Sequence, residues 1–137
     1  MSTELKNKIE EDIKKRNLTP SSVLQTIKNS LNGIKCYAKD GKSILLYLFG
    51  VIVEIIMGII YNINGLEWIL IVCILGIILS IELINTAIEA TCDAIGKEYN
   101  NLIKIAKDCG SGATFIVFLV AIILNLIIFL PKIVALF

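Results

Sequence analysis

Four polar side chains recur at helical spacing inside an apolar stretch: Glu82, Asn85, Glu89 and Asp93. Offsets of i, i+3, i+7 and i+11 put all four on one stripe of a helix, with apolar residues on the other faces. A carboxylate inside a helix of membrane length is costly unless it faces a partner, an ion or water, so two Glu on one stripe mark a functional site by default. Polar contacts between packed helices are the plainer reading, but those usually use Ser, Thr, Asn or Gln rather than paired Glu. Just past the stripe, Glu98, Lys104, Lys107 and Asp108 bring further charges to the same end. Carboxylates that can hold Mg²⁺, a cation for phosphate oxygens and a base for an attacking hydroxyl are the parts that phosphoryl transfer from a nucleotide requires.

The elements that must position these groups follow from composition. Of the 137 residues, 56% are apolar, and a mean hydropathy of +0.81 is that of an integral membrane protein. This length leaves no room for a large soluble domain. The balance of 13 basic against 12 acidic residues gives no bias towards nucleic acid. Cys36, Cys73, Cys92 and Cys109 lie far apart, with no CxxC and no His in the chain. They therefore outline neither a zinc site nor a disulfide framework and read as small apolar fillers.

Three apolar stretches, 43–61, 66–92 and 112–130, are each near or above the ~20 residues that a helix needs to cross ~30 Å of hydrocarbon. Before them, residues 22–40 place Val23, Ile27, Leu31, Ile34 and Ala38 on one face and Lys28, Lys35 and Lys39 elsewhere. That is the pattern of a helix lying in the membrane interface, although an ordinary amphipathic helix packed on protein is equally simple. Residues 1–21 are polar, with no apolar core for a secretory signal, and Pro20 with Ser21 and Ser22 reads as a break followed by a new N-cap. Predicted, then, is an all-α membrane protein: a polar tail or short helix over 1–21, then a membrane domain over 22–137 built from an interfacial helix and three transmembrane helices. Nine of the thirteen basic residues precede position 43, and Lys97, Lys104 and Lys107 lie in the expected loop 93–111. The positive-inside rule therefore places the N-terminus and that loop in the cytoplasm, with Lys132 and the C-terminus outside.

Two further features require explanation. The GKS at 41–43 is no phosphate-binding loop, because the first glycine of such a motif would fall at Cys36. Glu54, in the middle of the first span, would cost several kcal/mol if unpaired. It is expected to bond to Asn125 at similar depth in the third span, or else to serve directly at a lipid-binding site.

The run ELINTAIEATCD at 82–93, followed by AIGKEYNNLIKIAKDCGSGA at 94–113, closely resembles the signature of the small prokaryotic diacylglycerol kinases, a family that includes undecaprenol kinases. NSLNGIK at 29–35, LEW at 66–68 and IIFLPKI at 127–133 extend the resemblance, and the last two look like the undecaprenol kinase branch. The resemblance implies a lipid kinase using ATP and Mg²⁺, assembled as a homotrimer with sites between subunits. It implies Glu82 as catalytic base, Glu89 as metal ligand, Asn85 and Asp93 in the same polar pocket, and Glu98, Tyr99, Asn100, Lys107 and Asp108 at the nucleotide. A carboxylate in an apolar setting is a better base near neutral pH, and Lys107 suits phosphate charge. The pattern departs at Gly41, where the family carries another metal-binding Glu, leaving Asp40 as the neighbouring candidate. It departs also at Ile44 and Leu45, where an aromatic–Arg pair is usual, and at Asn100, where His is usual. Two other classes fit parts of the sequence: a small oligomeric transporter using Glu54 as its coupling acid, and a purely structural or catalytically weakened member of the family. Against the transporter stand the absence of any internal repeat and the clustering of charge at one face rather than at the midplane.

Overall fold

A computed structural model describes residues 20–39, 41–96 and 100–136. They form four helices, α1 (Pro20–Lys39), α2 (Lys42–Ile60), α3 (Gly65–Ile95) and α4 (Asn101–Val134), with no strand among the described residues. Three of these, α2, α3 and α4, have the length and apolarity to cross a membrane, so the protein is an all-α, multi-pass membrane protein. The chain divides into two compact units, Met1–Lys39 and Asp40–Phe137.

In the first unit, α1 is described from Pro20 onwards, and the polar stretch before it, with the break expected at Pro20, lies at or outside the edge of the described residues. Thr26 Oγ1 donates to the Ser22 carbonyl at 2.9 Å and Ser30 Oγ to that of Thr26 at 3.0 Å. These short polar side chains are thus satisfied on the helix itself, while Val23, Ile27, Leu31 and Ile34 stay exposed along one face.

The second unit is closed at the end where α2 turns into α3. Gly58 is buried, and a Cβ added there would stand 2.5 Å from Trp68 Cη2. Glycine is what lets the indole lie against the α2 backbone. Asn64 caps α3 in a reciprocal box: Glu67 N–H donates to Asn64 Oδ1 at 3.0 Å, and Asn64 N–H donates to Glu67 Oε2 at 2.7 Å. Lys132 Nζ sits 3.1 Å from the same Glu67 oxygen, so one carboxylate both starts α3 and ties down the last turn of α4. Ile63, Ile71, Ile128 and Phe129 form a buried cluster here, with Tyr61 edge-on to Phe129 at 5.9 Å. A second cluster of Ile74, Ile78 and Ala121 lies further along, and beside it Tyr47 on α2 donates its hydroxyl to the Leu75 carbonyl at 3.3 Å. Elsewhere α2 presents Leu45, Phe49, Ile52 and Ile59 outwards, all more than half exposed, a surface suited to lipid tails or another copy of the chain rather than to water.

One expectation changes. The helices outrun the apolar stretches, so that within the expected loop 93–111 only residues 96–100 separate α3 from α4. Backbone hydrogen bonding continues a helix whether or not its side chains are apolar, and Asn100 supplies the cap that starts α4: its Oδ1 accepts from Leu102 N–H at 2.9 Å. Of the four cysteines, all free, only Cys92 is buried within the chain.

Candidate active site

Away from the Trp68 end, the last four turns of α3 carry the polar stripe. Glu82 and Asn85 are partly buried, while Glu89 and Asp93 are exposed, so the stripe runs from apolar surroundings towards open space. Thr86, one turn beyond Glu82, turns its hydroxyl onto the Glu82 backbone carbonyl at 2.9 Å and leaves the Glu82 carboxylate to other partners. Asn85 Nδ2 donates to Glu89 Oε1 at 3.2 Å, an i to i+4 bond that steers one Glu89 oxygen and leaves the other for a ligand. From α4, Lys107 brings its ammonium to within 2.6 Å of Asp93 Oδ1. Three of the four stripe residues are therefore in contact with another candidate residue.

The remaining candidates fall elsewhere. Asn100 is the N-cap of α4, a backbone role that the sequence showed only as a polar turn. Asp108 is exposed on α4. Asp40, Glu98 and Tyr99 lie outside the described residues. Gly41, where the resemblance leads one to expect a metal-binding Glu, precedes α2 with φ of 72°, a left-handed conformation that favours glycine and would strain a glutamate.

No three His, Cys, Asp or Glu side chains gather around one point among the described residues, so these residues of one chain form no all-protein metal cage. Mg²⁺ does not need one, because it keeps several waters and phosphate oxygens and takes only one or two carboxylates. Glu89, exposed and with a free oxygen beside a carboxamide, has the hard oxygen donor that this ion prefers.

Glu54 is remote from this cluster. It lies about 9 Å along α2 from the α2–α3 turn, whereas Glu82 lies about 25 Å along α3 from it, at 1.5 Å per residue. Its Oε1 accepts from Asn125 Nδ2 at 2.7 Å, and the same amide donates to the Ala121 carbonyl at 3.0 Å. The pairing across α2 and α4 anticipated from depth is present. Glu54 Oε2 is buried without a hydrogen-bond partner among the described residues, and Oε1 is the oxygen that Asn125 engages. Asn125→Leu should lower stability in detergent by about 1–3 kcal/mol, because it strands the acid among apolar groups. Adding Glu54→Leu should restore most of that loss. Equal thermal unfolding of Asn125→Leu and the parent would show that the pair does not hold α2 to α4.

An α-helical membrane bundle with a carboxylate stripe and a lysine gathered at one end is the class that the fold and the site define. Residues 28–129 match the model of the prokaryotic diacylglycerol kinase family, and the chain belongs to that family. The undecaprenol kinase of Bacillus subtilis is 40% identical over 78 residues, 57% of this chain and 63% of that protein. The diacylglycerol kinase of Escherichia coli K12 is 33% identical over 73 residues, 53% and 60% of the two chains. That of Haemophilus influenzae is 30% identical over 94 residues, 69% of this chain and 80% of the other. The chain thus spans less than two thirds of the first two relatives' own length.

Proposed function

We propose that this protein is an ATP-dependent kinase of a membrane lipid, with α3 and the start of α4 forming the catalytic end. The observation that carries the reading is the stripe itself: a partly buried Glu82, an amide-steered Glu89, and Lys107 drawn across from α4 onto Asp93. Glu82 takes the proton from the lipid hydroxyl as that oxygen bonds to the γ-phosphorus, and the bond to the β,γ-bridging oxygen breaks to release ADP. Glu89 would hold Mg²⁺, which when bound neutralises phosphate charge. Asp40, the carboxylate next to Gly41, is proposed as the second metal ligand. An exposed ion pair is worth less than about 1 kcal/mol, so Lys107 can leave Asp93 for the phosphates at little cost. Asn85, Asp93, Glu98, Tyr99, Asn100 and Asp108 complete the proposed nucleotide pocket.

The acceptor is proposed to be undecaprenol rather than diacylglycerol, on the branch resemblance at LEW and IIFLPKI. Phosphate transfer from labelled ATP to each lipid, presented separately in mixed micelles, tests this. Faster labelling of undecaprenol is expected. A preference for diacylglycerol reverses the choice of acceptor, and labelling of neither lipid removes the kinase reading. The protein is placed in the cell membrane with α1 in the cytoplasmic interface, where each Lys near anionic headgroups contributes about 1 kcal/mol. A homotrimer with intersubunit sites fits the outward apolar surface of α2. Only monomers in detergent, with activity intact, would refute it.

A further inference from the structure

Gly110 lies on α4 opposite Asn85, is buried, and has no part in the chemistry proposed above. A Cβ built on it would collide with Asn85 Oδ1, whereas its contact with Ile88 Cδ1 would be an ordinary 3.6 Å. The amide oxygen therefore occupies the space that any other residue's side chain would need. That oxygen is buried and has no hydrogen-bond partner among the described residues, which is an expensive way to hold a carboxamide unless its other end is rewarded. The other end is the Nδ2 that donates to Glu89 Oε1 at 3.2 Å. We infer that Gly110 is a positioning residue for the metal-binding carboxylate: the bare α4 backbone admits the Asn85 oxygen, and this turns the Asn85 amide nitrogen onto Glu89.

The inference rests on the kinase reading for the role of Glu89, but its geometry does not. A packing glycine between close helices is the competing account. The two differ in one respect, because packing alone would make substitution costly whatever stands at position 85, whereas positioning works only through Asn85. Partners that orient a metal ligand typically cost 10–100-fold in metal affinity when removed.

The test uses purified full-length protein in detergent with a non-hydrolysable ATP analogue. Mn²⁺ is titrated in, and the free ion is followed by electron paramagnetic resonance. Gly110→Ala should weaken Mn²⁺ binding about tenfold, as should Asn85→Ala, and the double variant should be no weaker than Asn85→Ala alone. Gly112→Ala, at a position with open space around it, should bind as the parent does. Parent-like binding by Gly110→Ala overturns the inference, as does a double variant whose loss is the product of the two single losses. If Gly110→Ala does not fold, the double variant decides. Recovery of folding with the Asn85→Ala affinity supports the collision with Asn85, and continued misfolding overturns it. A parent protein that binds no Mn²⁺ and phosphorylates no lipid would instead remove the kinase reading itself.

Discussion

Glu82→Gln should slow phosphoryl transfer by about 10²–10⁴-fold while leaving nucleotide binding nearly intact. Glutamine keeps the size and hydrogen-bonding reach of the side chain but cannot take up the proton that leaves the lipid hydroxyl. At 1.36 kcal/mol per tenfold, the loss is about 3–5 kcal/mol of transition-state stabilisation. It should appear in kcat, with KM for Mg·ATP close to that of the parent. The position of Glu82 supports this separation: it lies at the partly buried end of the stripe, two helical turns from Glu89. A working lipid assay in which Glu82→Gln turns over at the parental rate would return the carboxylate stripe to a packing role.

Glu89→Gln should fail in a different way. The glutamine carbonyl can still accept from Asn85 Nδ2, so local shape survives and the change isolates the lost charge. Affinity for Mg·ATP is expected to fall by about 10²-fold, roughly 2.7 kcal/mol, with partial recovery as free Mg²⁺ is raised. Recovery is expected because a weakened metal site can be refilled by mass action, whereas a missing base cannot. Asp40→Asn should show the same Mg²⁺-dependent pattern if Asp40 stands in for the family carboxylate absent at Gly41. The assignment of Glu89 fails if its variant loses kcat alone and ignores the Mg²⁺ concentration.

The two segments on which the choice of undecaprenol was proposed have a structural use of their own. LEW contributes Glu67 to the α3 cap and Trp68 to the Gly58 contact, and IIFLPKI contributes Lys132 to the bridge with Glu67. Both segments sit at the α2–α3 turn, some 25 Å along α3 from Glu82. They close the far end of the bundle, away from the proposed reaction centre. The lipid assay, rather than these motifs, decides the acceptor.

Read as sequence, the chain already determined its three apolar helices, the helical stripe of Glu82, Asn85, Glu89 and Asp93, and the need for a partner at Glu54. Each of these depends on local properties: about 20 apolar residues span a bilayer, a period of 3.6 assigns residues to faces, and an intramembrane acid must be satisfied. Helix ends were less clear. Residues 101–111 are too polar to read as part of a span, yet the Asn100 cap and continuous backbone bonding carry α4 through them. What only the tertiary structure decided is which side chains meet across helices. Lys107 on Asp93, Lys132 on Glu67 and Asn85 against Gly110 all depend on the rotation and separation of neighbouring helices. Where those backbones come close, Gly58 and Gly110 each leave the space of one missing side chain for Trp68 and Asn85 to fill, a complementarity between distant residues that no single helix's periodicity contains.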